Sequence, residues 1–111
     1  MPVGNFGESL DVLFRGYGIP LLELRDAVDG LSAAGRIRIL TPDVEAAWRA
    51  AALRQRYYAK RSSEVSLADC FLIASAQAGD EIATADPALA AVARAESIAV
   101  VALPDSSGRR P

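Results

Sequence analysis

Apolar residues recur along the chain at two spacings, which predict alternating helices and strands. Three- and four-residue spacing indicates amphipathic helices, whereas short apolar or alternating runs are typical of strands. The predicted helices are residues 5–17, 20–30, 41–58, 66–79 and 87–95, and the predicted strands are residues 36–40, 81–86 and 98–103. Strands separated by helices indicate an α/β fold of three α/β/α layers, with helices covering both faces of a parallel sheet.

Capping residues mark where several of these helices begin and end. Ser66 is a good N-cap for the nearly all-apolar helix 66–79, and Gly79 is a good residue to end it. Thr41 as N-cap, followed by a proline and then Asp43 in the first turn, predicts the start of helix 41–58. Asn5 can cap the first helix. Because helix 66–79 is apolar on most faces, we expect it to be buried.

Length and composition indicate one small globular domain. The 111 residues are enough for a core, and a hydrophobic content of 51% argues against a disordered chain. We expect a single domain over residues 1–104 and a polar tail over residues 105–111. The sequence shows no bilayer-spanning run and no signal peptide, and Cys70 has no internal disulfide partner. These features predict a cytoplasmic protein with no membrane partner.

The absence of histidine limits which catalytic groups and metal ligands the chain can supply. With no His and one Cys, the sequence excludes His-dependent triads, His general bases and Cys/His zinc sites. An enzyme built from this chain would rely on carboxylates, which commonly bring a hard cation such as Mg²⁺. The net charge of −2 means that contact with nucleic acid would need a local basic patch. No Gly-rich loop follows a predicted strand, which argues against a nucleotide-binding domain.

Two carboxylates stand where α/β proteins build their sites. Asp69 lies in the first turn of helix 66–79, and Asp86 ends a strand, with Thr84 on the same side of that strand. Open parallel sheets bind ligands at the carboxyl ends of their strands. Carboxylates that converge on one crevice repel one another unless a cation lies between them, and Mg²⁺ there can orient a phosphodiester and activate water.

Each acid also has a structural interpretation, which the pattern alone leaves open. Ser66 and Asp69 have the spacing of a capping box. Asp86 precedes a proline and can be an ordinary N-cap. Asn5 and Glu8 also have capping-box spacing.

Three segments resemble motifs of the PIN domain, the nuclease fold of VapC-type toxins. They are FGESL at residues 6–10, SLADC at residues 66–70 and TAD at residues 84–86, and the closing apolar strand also fits. The resemblance implies a Mg²⁺- or Mn²⁺-dependent endoribonuclease that cleaves single-stranded RNA with a metal-activated water. It implies that Glu8, Asp69 and Asp86 are catalytic and hold the metal, and that Thr84 supports them. It also implies the toxin of a type II toxin–antitoxin pair.

The chain departs from this family at its start. PIN domains begin with a strand that carries the first acidic residue, and residues 1–7 contain no acid. We therefore interpret the domain as N-terminally incomplete, lacking the usual first strand, and expect the isolated chain to be poorly stable. The alternative function is a truncated or degenerate, non-catalytic PIN-like module that binds a protein partner.

The most basic stretch of the chain offers candidate contacts to RNA. Arg54, Arg56, Lys60 and Arg61 lie close to two tyrosines, and arginine with aromatic side chains suits single-stranded RNA. A solvated helix end, where basic residues complement the helix dipole, explains the same pattern. The expected partners are an RNA substrate, an antitoxin protein and a second copy of the chain in a homodimer.

Overall fold

The computed structural model describes residues 1–58 and 64–111, which form two compact units, Met1–Pro42 and Asp43–Pro111. The first unit contains α1 (Val3–Tyr17) and α2 (Leu21–Ala33); the second contains α3 (Val44–Tyr57), α4 (Leu67–Ser75), β1 (Glu81–Thr84), α5 (Pro87–Ala95) and β2 (Ala99–Ala102). The predicted α/β class with parallel strands is confirmed, and the sheet is small. Within the described residues, no helix is long and apolar enough to cross a bilayer.

Helix α1 begins earlier than the sequence predicted, because Pro2 rather than Asn5 precedes its first turn. Pro2 has an extended backbone (φ −61°, ψ 146°), and its carbonyl accepts the first helical hydrogen bond from the Phe6 N–H at 3.0 Å. The predicted capping role of Asn5 and its capping box with Glu8 are therefore wrong, since both residues lie inside the helix. Gly18, in the left-handed conformation (φ 68°), ends α1.

The strand predicted over residues 36–40 is reduced to an isolated parallel bridge between Leu40 and Pro2. The Val3 N–H donates to the Leu40 carbonyl at 2.7 Å, and the Leu40 N–H donates to the Met1 carbonyl at 2.6 Å. An alternating pattern forms a strand only where a partner offers backbone groups along its length. Here the facing segment turns into α1 at Val3, so the pairing stops after one residue pair.

The second unit is built around two parallel strands, paired from Glu81 with Ala99 to Thr84 with Ala102. Its core is apolar and draws on α3, α4, α5 and β1. The buried members of this cluster are Ala50, Leu53, Val65, Cys70, Ile73, Ile82, Leu89, Val92 and Ala93. Burying one large aliphatic side chain contributes roughly 1.5–3 kcal/mol, and this core fixes β1 and α4, which carry two of the predicted site residues.

Helix α3 begins at Val44, two residues after the proline on which its predicted start depended. Asp43 is the N-cap, and its Oδ1 accepts the Ala46 N–H at 2.8 Å. The prediction that Thr41 caps this helix is therefore wrong. Asp43 takes the position because a short carboxylate can satisfy one of the N–H groups that the first helical turn leaves without a partner.

Helix α4 ends at Ser75, four residues before the predicted stop at Gly79. Gly79 (φ 88°) instead lies in the turn that leads into β1. In that turn the Asp80 Oδ2 accepts the Gln77 N–H at 2.8 Å, and the Asp80 N–H donates to the Gln77 carbonyl at 3.0 Å. A carboxylate that satisfies nearby backbone groups offers the chain an alternative to the helix, which explains the early end.

Candidate active site

Asp86 lies just past the carboxyl end of β1, and its neighbours fix its backbone. The hydroxyl of the buried Thr84 accepts the Asp86 N–H at 3.0 Å. The Thr84 carbonyl accepts the N–H of Leu103, which follows β2, at 2.8 Å. Both strands therefore hold this position. The structure thus places Asp86 and Thr84 at the edge of the sheet where open α/β proteins bind ligands.

The side chain of Asp86 also caps α5. Its Oδ1 accepts the Ala88 N–H at 2.8 Å, and Pro87 is the first helical residue, as the sequence predicted. A helix N-terminus carries a partial positive charge, so a carboxylate is favourable there. Within the described residues, these contacts leave Oδ2 of Asp86 without a partner.

Asp69 is the third residue of α4 and forms a capping box with Ser66. The Ser66 N–H donates to Oδ2 of Asp69 at 3.2 Å, and the Asp69 N–H donates to the Ser66 hydroxyl at 3.0 Å. The predicted capping geometry is confirmed. In the part of the chain that the structure describes, Oδ1 of Asp69 has no hydrogen-bond partner, and the side chain is partly buried.

The chemistry of these donors fits a hard divalent cation. Mg²⁺ and Mn²⁺ prefer oxygen ligands, and Mg²⁺ is commonly held by one or two carboxylates together with water and substrate phosphate. Asp69 and Asp86 lie in the same compact unit, and each keeps one carboxylate oxygen free of the described partners. Among residues 1–58 and 64–111, no group of three or more His, Cys, Asp or Glu side chains is placed to hold a metal. The described residues therefore offer two carboxylates of suitable chemistry, without a cluster of three possible ligands.

Glu8, the third predicted ligand, belongs to the other unit. It is an exposed residue within α1. Since the two units are separate bodies, its part in a site with Asp69 and Asp86 stays a prediction.

The predicted RNA-contacting residues have different surroundings. The Arg56 guanidinium lies 3.5 Å from the Glu96 carboxylate, which also accepts the Tyr57 hydroxyl at 3.1 Å. Arg54 instead lies over the ring of Tyr58, with its guanidinium carbon 4.6 Å from the ring centre. Lys60 and Arg61 lie outside the described residues.

Cys70 follows Asp69 and is fully buried, as expected for a residue of the apolar helix predicted over residues 66–79. Burial raises the pKa of its thiol, and the negative charge of Asp69 raises this pKa further. The positive charge of Arg54 acts on the thiol in the opposite direction.

Two surface depressions accompany these residues. A shallow groove of about 390 Å³ is lined by Ala51, Arg54, Gln55, Tyr58 and Leu67. The sequence analysis missed Gln55 and Leu67 as members of this surface, although helical spacing places residues 51, 54 and 55 on one side of α3, and residue 58 follows the helix.

The larger depression, of about 550 Å³, lies at the amino ends of the strands. It is lined by parts of α3, by residues 76–80 before β1 and by residues 96–98 before β2. Arg49 and Arg56 line it, but the Arg49 guanidinium bonds the Ala74 carbonyl at 3.3 Å and Arg56 pairs with Glu96. This cleft is thus at the opposite end of β1 from Asp86.

Comparison with known proteins identifies one family. The family model described as PIN domain matches residues 5–101, which is most of the chain. No curated protein and no solved structure matches the chain.

Proposed function

The chain belongs to the PIN domain family, generally a family of nucleases that depend on divalent metals, and we propose that it is an endoribonuclease acting on single-stranded RNA. The observation that supports this most directly is the placement of Asp86. Thr84 and the end of β2 fix it at the carboxyl end of β1, with one carboxylate oxygen free of the described partners.

We assign the metal ligands to Asp69, Asp86 and Glu8, as the family motifs imply. Mg²⁺ or Mn²⁺ bound by these carboxylates would supply a Lewis acid that activates water and neutralises phosphate charge. Capping holds Asp69 and Asp86 in fixed orientations through one oxygen each, so the other oxygen is pre-positioned. Thr84 acts as a positioning residue, because its hydroxyl holds the backbone of Asp86.

The biological setting is part of the same proposal. We infer a toxin of VapC type, which acts in the cytoplasm and is controlled by an antitoxin protein. A homodimer and RNA contacts by Arg54, Arg56, Lys60 and Arg61 complete the proposal. Its support is the family match and the basic character of the stretch after Ala52.

Cleavage of a labelled single-stranded RNA in the presence of Mn²⁺ or Mg²⁺ tests the proposal. We expect Asp69→Asn and Asp86→Asn each to lower the rate by about 100-fold or more, as expected for a lost catalytic group. Asparagine keeps a side-chain oxygen, which can still accept the Ser66 N–H from position 69 and can cap α5 from position 86, so the helices should persist. Asp26→Asn, on α2, is the matched control and should cut as the parent does. If both site variants cut normally, the assignment of these residues is wrong.

One observation favours the alternative, a non-catalytic PIN-like module that binds a protein partner. Both Asp69 and Asp86 already have a structural role, since each accepts a backbone N–H at a helix N-terminus. If the parent protein shows no metal-dependent cleavage while partner binding persists in the Asn variants, the alternative replaces the nuclease.

A further inference from the structure

The groove beside the start of α4 has the composition of a surface that contacts a planar ligand. It is lined by Ala51, Arg54, Gln55, Tyr58 and Leu67 and has a volume of about 390 Å³. This volume is within the usual range for small-ligand sites, roughly 300–1,000 Å³. The rings and chains that form it are not buried in the core, since Tyr58 is 41% exposed and Leu67 is 44% exposed.

Four kinds of contact are available in this groove. Tyr58 presents an aromatic ring, and Arg54 presents a planar cation whose central carbon is 4.6 Å from the centre of that ring. Gln55 carries both a hydrogen-bond donor and an acceptor on one amide. Leu67 supplies an apolar wall. Unlike Arg56, Arg54 forms no ion pair with an acid of the described residues.

From these contacts we infer that the groove is a subsite for one unpaired nucleobase of single-stranded RNA. Bases splayed out of a strand stack on tyrosine rings and on arginine planes, and their edges bond to side-chain amides. A phosphate alone would use Arg54 but would leave the tyrosine ring and Leu67 without a role. The cation also suits the negative backbone on either side of the bound base.

The groove and Asp69 both lie at the start of α4. Leu67 is the first residue of α4, and Asp69 lies two residues further along the same turn. Asp69 does not line the groove, and side chains two residues apart on a helix point to different sides, so an RNA strand bound here would have to pass around the start of α4 to reach the Asp69 carboxylate. The inference rests on the proposed function and deepens it: Gln55 and Tyr58 become residues that select which RNA is bound.

Binding measured without metal tests the subsite separately from cleavage. The full chain, in buffer containing EDTA, is titrated into a fluorescein-labelled single-stranded RNA hexamer and into an abasic hexamer of the same length. Stacking energies of single bases predict that Tyr58→Ala weakens binding of the base-bearing RNA by about 10-fold or more. Tyr58→Phe, which keeps the ring, should bind as the parent does. Neither variant should change binding of the abasic hexamer.

A second measurement addresses selectivity. The binding affinities of hexamers of U, C, A and G are compared. Gln55→Ala should reduce the difference in affinity between the hexamer that binds most tightly and the one that binds most weakly. The subsite is refuted if Tyr58→Ala binds base-bearing RNA normally, or if it weakens the abasic hexamer equally. Thermal midpoints of Tyr58→Ala, Tyr58→Phe and Gln55→Ala show whether each of the three variants folds. If the binding pattern holds but the parent protein does not cut RNA with Mn²⁺, the subsite stands and the nuclease proposal fails. If the parent protein cuts RNA but Tyr58→Ala does not selectively weaken binding of base-bearing RNA, only the subsite proposal is refuted.

Discussion

Two substitutions at Thr84 can separate its contribution to stability from its contribution to RNA cleavage. Thr84 is 8% exposed, and its hydroxyl accepts the N–H of Asp86 at 3.0 Å. Thr84→Val removes this acceptor while keeping the shape of the side chain. Thr84→Ser keeps the acceptor but removes the methyl group. The two variants therefore delete different halves of one side chain.

Both changes should lower stability by similar amounts. Losing one hydrogen bond costs roughly 0.5–1.5 kcal/mol, and the exposed Asp86 can replace its lost partner with water. Losing one buried methyl group costs about 0.8 kcal/mol or somewhat more. Activity should separate the variants. Thr84→Val frees the backbone of Asp86 and should slow metal-dependent cleavage by about 10- to 100-fold, as removal of an outer hydrogen-bond partner of a ligand does. Thr84→Ser should retain most of the activity.

Urea unfolding and RNA cleavage together provide the assay. The single tryptophan, Trp48, is 71% exposed in the folded protein, so unfolding is followed by far-ultraviolet circular dichroism rather than by tryptophan fluorescence. A loss of about 1 kcal/mol shifts the urea midpoint by roughly 0.3–1 M. The reasoning is refuted if Thr84→Val cuts RNA as fast as Thr84→Ser at equal stability, because Thr84 would then not position Asp86.

Three further changes test the structure. Ser66→Ala removes the capping box of α4 and should cost about 1 kcal/mol in urea unfolding; an unchanged midpoint would contradict the observed cap. Burial raises the pKa of the Cys70 thiol, so the stabilisation from keeping the thiol neutral is present below about pH 8.5 and lost at higher pH. In Cys70→Ala, the decrease in the free energy of unfolding at alkaline pH, measured by urea unfolding, should be smaller. Hydrogen bonds from the Ser107 side chain and from backbone N–H groups lower the pKa of Asp105, so its turn is stabilised at neutral pH and should open as the pH falls below about 4. The Ser107 amide NMR signal should report this opening, and the titration should be absent in Asp105→Asn.

Local patterns predicted the elements that carry the two acids because their signals are short-range. A proline after Asp86 and a serine three residues before Asp69 mark helix starts through contacts within one turn, and both contacts are present. The strand at residues 36–40 was wrong for a different reason. Its alternation was correct for a strand, but pairing depends on a partner elsewhere in the chain, and Pro2 provides only one bridge.

The groove beside α4 could not have been predicted from the basic stretch alone. That stretch identified Arg54 and Arg56 equally, because both lie on the last turns of one helix. Only the tertiary structure distinguishes them. Glu96, at the end of α5, pairs with Arg56. Arg54 instead lies over the ring of Tyr58 and lines the groove beside the start of α4. Long-range partners of this kind are not visible in local spacing.

The structural and catalytic interpretations of Asp69 and Asp86 are compatible. A cap uses one carboxylate oxygen, and in each residue the second oxygen has no partner within the described chain. A cap therefore holds a possible ligand in a fixed orientation. Capping alone predicts that Asn variants fold and behave as the parent, whereas the combined role predicts that they fold and lose cleavage.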